Sequence, residues 1–362
     1  MNEFLQRLLN ELSQATDPDR RAELLARIAG ILARLRDFEG AKRTIDDLRS
    51  IYGDGRSGVV TVSINLAEGL VHHFGSFGPQ ALDRFNRAQV LSVAMKYSAG
   101  VALSSAWKAN YHFEFEEYDE MARCLLLARQ HSSEDNYDAM TRLGMILFNS
   151  FTMVGDTRAA QLWFLRTKDA ASKNRDRSSI EALLYNRAAF SVTRARAEHC
   201  LAPVTPEALR DLRMDVQSAK NYQDLSKLAS LPDHLVLTTA RLNMLEGNYE
   251  QARELLLTLR DSDRFAKHNF SSSFIDLEIA FCKAKVGDLS AARALPLASP
   301  DFAFGTFDVD EQLVAAWLKL QFADMDETLA SKQDALAGLQ RSRDQYEAMM
   351  QRLASHLVSF SE

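Results

Sequence analysis

Four segments of this chain share one short pattern, and that pattern limits the fold more than any other feature. They are Arg36-Asp37-Phe38-Glu39-Gly40-Ala41, Val154-Gly155-Asp156-Thr157-Arg158-Ala159-Ala160, Glu246-Gly247-Asn248-Tyr249-Glu250-Gln251-Ala252 and Val286-Gly287-Asp288-Leu289-Ser290-Ala291-Ala292. A weaker fifth is Glu116-Glu117-Tyr118-Asp119-Glu120-Met121. Each reads as a reversal between two helices. Glycine ends the first helix in a left-handed turn, and Asp or Asn caps the next. The aromatic or Leu residue staples the turn to the core, and the following alanine lets the two helices approach closely.

Taking Phe38, Tyr118, Thr157, Tyr249 and Leu289 as markers, the steps are 80, 39, 92 and 40 residues. An unmarked unit fits near Gly78-Pro79-Gln80-Ala81, halfway through the first long step. Another, with an insertion around Leu201 to Asn221, fits the second. A beat near forty residues predicts about seven helical hairpins, each burying its apolar face only against its neighbours. Composition agrees: 15 glycines and 7 prolines in 362 residues are few helix breakers. Pro18, after the cap Thr16-Asp17, opens a helix, as do Pro79, Pro206 and Pro232, while Pro203, Pro296 and Pro300 fall in loops. The β-branched run Val59 to Ile64 continues into Leu66, Leu70 and Phe74 at helical spacing and reads as a buried helix. The expected fold class is all-α.

Gly247-Asn248-Tyr249-x-x-Ala252 and Gly287-Asp288-Leu289-x-x-Ala292 resemble the hairpin turn of the tetratricopeptide repeat, Gly-Asp/Asn-Tyr-x-x-Ala. The resemblance implies a right-handed superhelical solenoid of antiparallel hairpins with lengthened repeats. Forty residues is nearer the HEAT and armadillo period, which leaves another hairpin solenoid as the alternative. The domain reading is an N-terminal helix or cap over 1–19, the array over 20–322 and a long helix over 323–362. In tetratricopeptide-like arrays the first helix of each hairpin lines a concave groove. That register places Asn110, Glu114, Arg142, Asn149, Arg241 and Lys285 there. A side-chain amide both donates to and accepts from a peptide backbone, so Asn110 and Asn149 at one register position form a candidate peptide clamp.

From Ala323 the composition changes to a heptad pattern. One row holds Leu329, Leu336, Arg343, Met350 and Leu357; the other holds Lys332, Leu339, Tyr346, Leu353 and Phe360. This predicts a long helix that either pairs with a second copy or folds back as a cap on the array. Arrays of this kind in bacterial sensors often lead through such a helix into an output domain such as a GGDEF nucleotide cyclase, and this sequence has no such domain.

Other chemistry is weakly supported. A net charge of −6 gives no basic excess for nucleic acid, and no window suits a membrane span. Cys124, Cys200 and Cys282 are odd in number and scattered, as expected in a reducing cytoplasm. Gly53-Asp54-Gly55-Arg56-Ser57-Gly58 matches G-x-G-x-x-G but follows a helix instead of a strand, and reads as a loop. His72-His73 and His199-Cys200 are adjacent pairs whose side chains diverge on a helix. Asp308-Val309-Asp310-Glu311 reads as a helix cap. Phe302, Phe304 and Phe307 either plug the end of the array or anchor a partner. The expectation is no enzyme, cofactor or metal. It is a cytoplasmic scaffold that binds a protein or peptide segment, or alternatively the sensory and dimerising half of a regulator acting through residues 323–362.

Overall fold

The computed structural model describes residues 3–53, 57–76, 78–226, 232–262, 271–297 and 307–361. Every regular element among them is helical. Two compact units divide the chain. The first, Met1–Phe151 with Thr157–Leu183 and His356–Glu362, contains α1 (Glu3–Gln14), α2 (Pro18–Arg34), α3 (Phe38–Tyr52), α4 (Gly58–Ser76), α5 (Pro79–Ala94), α6 (Ser98–Glu114), α7 (Tyr118–His131), most of α8 (Tyr137–Val154), α9 (Thr157–Lys173) and the start of α10 (Arg177–His199). The second, Thr152–Asp156 with Leu184–Ser355, contains the rest of α10, then α11 (Pro206–Ser226), α12 (Pro232–Leu245), α13 (Tyr249–Arg260), α14 (Ser272–Lys285), α15 (Ser290–Arg293), α16 (Val309–Met325) and most of α17 (Lys332–Leu357).

Helices pack on their sequence neighbours, α2 on α3, α4 on α5, α6 on α7 and α12 on α13. Alternate helices also touch: α2 meets α4, α4 meets α6, and α14 meets α16. This is the packing of stacked hairpins, with the first helix of each hairpin against the first helix of the next. The 92-residue step contains two hairpins' worth of lengthened helices, since α10 has 23 residues and α11 has 21.

One turn geometry recurs through the chain. The backbone N–H after a left-handed residue closes a six-to-one bond to the preceding helix: Asp37 to Leu32 (2.9 Å), Tyr97 to Ser92 (2.8 Å), Glu117 to His112 (2.9 Å), Asp176 to Ala171 (2.9 Å), Asn248 to Asn243 (2.8 Å) and Asp288 to Lys283 (2.9 Å). These are Schellman caps. The left-handed residue is glycine at Gly247 and Gly287, with φ of 78° and 96°. It is Arg36, Lys96, Glu116 and Arg175 at the other four, with φ between 54° and 62°. The turn alanines Ala41, Ala252 and Ala292 are fully buried, as is Ala81 at the unmarked unit. Helices approach closely at Gly69, where a Cβ would lie 2.4 Å from the Phe85 ring.

Proline punctuation matches the reading at four helix starts: Pro18, Pro79, Pro206 and Pro232 each open a helix. Asp17 caps α2 by accepting from the Arg20 N–H at 2.8 Å. The run Val59 to Ile64 lies in α4, where Val62, Ile64, Leu66 and Ala67 are all buried. No helix among the described residues is long and apolar enough to cross a membrane. Residues 54–56 of the glycine loop and Phe302 and Phe304 lie outside the described residues. Phe307 is buried, its ring 5.3 Å from that of Phe274.

The heptad rows of the last helix part company. Leu339 and Tyr346 pack against the core of the second unit, and Leu353 and Phe360 are buried. In the other row Leu336 is 48% exposed and Arg343 turns outward to Glu347 at 2.7 Å, while Leu329 and Leu357 at its ends are buried. Lys332 reaches Asp324 at 2.6 Å on the surface. Beyond Lys332, the row of Leu339, Tyr346, Leu353 and Phe360 is thus covered by this chain itself.

Candidate functional site

The helical register that places Asn110 and Arg142 on successive first helices also brings them together. Arg142 Nη1 donates to Asn110 Oδ1 at 3.3 Å, and Asn110 Nδ2 lies 3.4 Å from His73 Nε2 on α4. The Arg142 guanidinium sits 3.8 Å from the centroid of the Trp107 ring, a cation–π contact. Burial and the Arg142 charge hold the His73 imidazole neutral, with its pKa lowered to about 3. Burial, then the charge of Arg34, lowers the pKa of Arg142 to about 9, so it remains a cation at neutral pH.

A second buried polar cluster stands beside this chain. Arg34 of α2 donates to Ser178 Oγ (3.2 Å) and Ser179 Oγ (3.0 Å) and pairs with Asp176 at 3.2 Å. Asp176 also accepts from both serine hydroxyls, at 2.7 and 2.6 Å. Burial pushes the Asp176 carboxyl up, but Arg34 and the serines outweigh it and keep its pKa below the ordinary value. Near the middle of α2, two turns before Arg34, Arg27 pairs with Asp138 at 3.0 Å and, with Arg7, donates to Asn174 Oδ1. Helix α2 is thereby tied to the start of α8 and to the α9–α10 turn. Asn149 is buried on α8, and Glu114 is exposed at the end of α6.

Arg241 and Lys285 belong to the second unit. Arg241 donates to Glu278 (3.0 Å) and reaches Glu311 (3.6 Å), while Arg196 bonds the same Glu278 oxygen. Burial lowers the Arg241 pKa, and the charges of Glu278 and Glu311 more than reverse that. Burial raises the Glu311 pKa to about 7, against the pull of Arg241 and with help from Asp310 and Asp308. Lys285 is exposed, with its ammonium 5.2 Å from the Phe281 ring centroid and 3.5 Å from Gln321 Oε1. The structure therefore joins Asn110 to Arg142, and Arg241 to its acidic partners. Glu114 lies near enough for its charge to act on Arg142.

The adjacent pairs behave as separate side chains. His199 meets the Trp317 ring edge-on at 5.2 Å, whereas the Cys200 thiol donates to the Arg196 carbonyl at 3.2 Å. Burial pushes that thiol up to about 12, so it is no thiolate at neutral pH. Asp308 is the N-cap of α16 by backbone geometry, although its side chain makes no capping bond, and Asp310 and Glu311 lie in the first turn.

An open cleft of about 580 Å³ in the first unit was not expected. Its floor is α4, through Thr61, Ile64 and Asn65, and its walls carry Arg49 from α3 and Arg84, Arg87 and Val90 from α5. Glu68 lies beneath and pairs with both Arg49 and, at 2.8 Å, Arg84, which holds the two guanidinium groups side by side. Arg84 also lies 3.5 Å from Asn65 Oδ1. Arg87 pairs with Asp83, at 3.1 Å on the surface. Val90 is 66% exposed at the rim, and Val93, one turn further along α5, is exposed too. Three arginines, Arg49 and Arg84 on Glu68 and Arg87 on Asp83, thus line the cleft beside an apolar edge. The signal in the sequence was the polar stripe Thr61, Asn65, Glu68 within a largely apolar helix.

No protein-family model matches the chain, and no curated protein matches it.

Proposed function

We propose that this chain is a non-catalytic scaffold of the tetratricopeptide type, a right-handed hairpin solenoid that binds a protein or peptide segment. The observation that carries the reading is the α3–α5 cleft. Its volume lies within the range of ligand sites, and its lining joins paired guanidinium groups to an apolar rim. Guanidinium forks suit carboxylates, and the exposed Val90 edge suits an aliphatic side chain. The matching ligand is an acidic peptide with interspersed aliphatic residues. A groove site at Asn110 and Asn149 is the competing location within the same function. There a peptide has to displace the bond between Arg142 and Asn110.

The test is fluorescence anisotropy with a labelled peptide alternating glutamate and leucine, against its glutamine counterpart. The acidic peptide should bind the wild type, weaken with salt, and lose about tenfold affinity, or ~1.4 kcal/mol, with Arg84→Gln/Arg87→Gln. Loss confined to Asn110→Ala/Asn149→Ala would move the site to the first helices. Equal binding of both peptides would remove the charge argument.

A further inference from the structure

The last residues of the chain are held in the manner of a bound peptide. Helix α17 belongs to the second unit as far as Ser355, yet His356–Glu362 belongs to the first by its contacts. There Leu357 and Phe360 are buried while Val358 between them is 73% exposed. The helix tightens into a 3-10 turn over Val358–Phe360, which frees its last carbonyls. Two of these carbonyls are met by side chains of the first unit. Trp163 Nε1 of α9 donates to the Phe360 carbonyl at 2.9 Å, and Arg129 Nη1 of α7 donates to the Ser359 carbonyl at 2.8 Å. The Arg129 guanidinium also lies 4.8 Å from the Phe360 ring centroid, and His356 Nε2 sits 2.9 Å from Asp119 Oδ1.

Buried apolar anchors three residues apart, with two donors aimed at main-chain oxygens, are the elements of short-peptide recognition. The donors read backbone, and the anchors read sequence. We infer that the α7–α9 face is a receptor for a helix end carrying an aliphatic residue and, three positions on, an aromatic one. The chain's own Leu357–Phe360 is the ligand that occupies it in cis. A tethered segment acts at an effective concentration of order millimolar, so it keeps the face closed to a free peptide of equal intrinsic affinity. Any partner with the same helix end must compete with it, which makes the tail a gate. The inference deepens the scaffold reading by adding a second site and its ligand class. It does not depend on the cleft.

The experiment uses a fluorescein-labelled peptide of residues 352–362 titrated into full-length chains. Phe360→Ala, which empties the aromatic anchor of the tail, should bind the peptide at least about tenfold more tightly than wild type. Adding Arg129→Ala should reverse most of that gain, and a labelled peptide carrying the same Phe360→Ala change should fail to bind. Arg84→Gln/Arg87→Gln, combined with Phe360→Ala, should leave tail-peptide binding unchanged, which separates this site from the cleft. No saturable binding to Phe360→Ala, or equal binding to it and to wild type, overturns the inference. Should Phe360→Ala not fold, His356→Ala loosens the same segment through its contact with Asp119 and should raise affinity about threefold over wild type. No rise with that variant overturns the inference equally.

Discussion

His73 and Glu311 set opposite pH limits on the two units. The buried His73 has a pKa near 3 in the fold against 6.5 ordinarily, so the unfolded chain binds the extra proton between those values. Its contribution is complete above pH 6.5 and is lost as pH falls toward 3. Glu311 behaves in reverse, with a pKa near 7 in the fold against 4.5. Its contribution is complete below pH 4.5 and is lost as pH rises through 7, by roughly 1–3 kcal/mol. Denaturant unfolding should therefore show α16 losing hydrogen-exchange protection from pH 5 to 7.5, and Glu311→Gln should flatten that slope. An unchanged slope in Glu311→Gln would assign it to another group.

The left-handed turn residues give a second residue-scale prediction. Lys96 is exposed and holds φ of 56°, a conformation that costs a side-chain-bearing residue about 1 kcal/mol relative to glycine. Lys96→Gly should raise stability by about that amount in urea titration, despite removing a side chain. Conversely, Ala252 is fully buried, and Ala252→Leu should cost roughly 1–3 kcal/mol by overpacking. A melting temperature unchanged by Ala252→Leu would contradict the close helix approach.

At the scale of elements, the turns were legible because their chemistry is local. Gly247-Asn248-Tyr249 and Gly287-Asp288-Leu289 announce a Schellman cap within three residues. The caps at Lys96 and Arg175 were not legible, since nothing in those side chains marks a left-handed backbone. The join between α2 and the α9–α10 turn was hidden for a different reason. Arg34 and Asp176 are 142 positions apart and are ordinary surface residue types, so only the tertiary fold shows that they are paired and largely buried. Asp176→Ala would leave Arg34 without this counter-charge and take from the hydroxyls of Ser178 and Ser179 the carboxylate they donate to. The expected cost is about 3 kcal/mol, with Arg34's partial exposure keeping it at the lower end for a buried pair. Arg34→Met should cost clearly less, because it leaves a carboxylate still bonded to two serines. Equal losses in urea titration would show that the charge pair, and not the stranded arginine, dominates.

The candidate site was legible in part. Register arithmetic assigned Asn110 and Arg142 to the groove and matched Asn110 with Asn149, whereas the structure bonds Asn110 to Arg142. It could not show that each is the other's partner, because hydrogen bonding across helices is invisible to spacing. The cleft escaped for a similar reason, being built from three helices whose arginines look like solvated surface when read one helix at a time.

For the whole molecule, the heptad rows predicted either pairing between copies or a folded-back helix. Leu339, Tyr346, Leu353 and Phe360 are covered within the chain, so little of that apolar row is left for a second copy. Sedimentation at tens of micromolar should accordingly give a monomer. A dimer that dissociates with Leu336→Glu would instead assign self-association to the exposed side of α17 around Leu336, and would favour the dimerising-regulator reading.

The central claim is that this helical-hairpin chain holds an acidic peptide in the cleft of α3, α4 and α5. Hydrogen–deuterium exchange of the full chain, with and without the glutamate–leucine peptide, tests it most directly. The account predicts added protection confined to residues 61–68 of α4 and 84–91 of α5, abolished by Arg84→Gln/Arg87→Gln. Protection concentrated on α6 and α8 around Asn110 and Asn149, or none at all under saturating peptide, would contradict it.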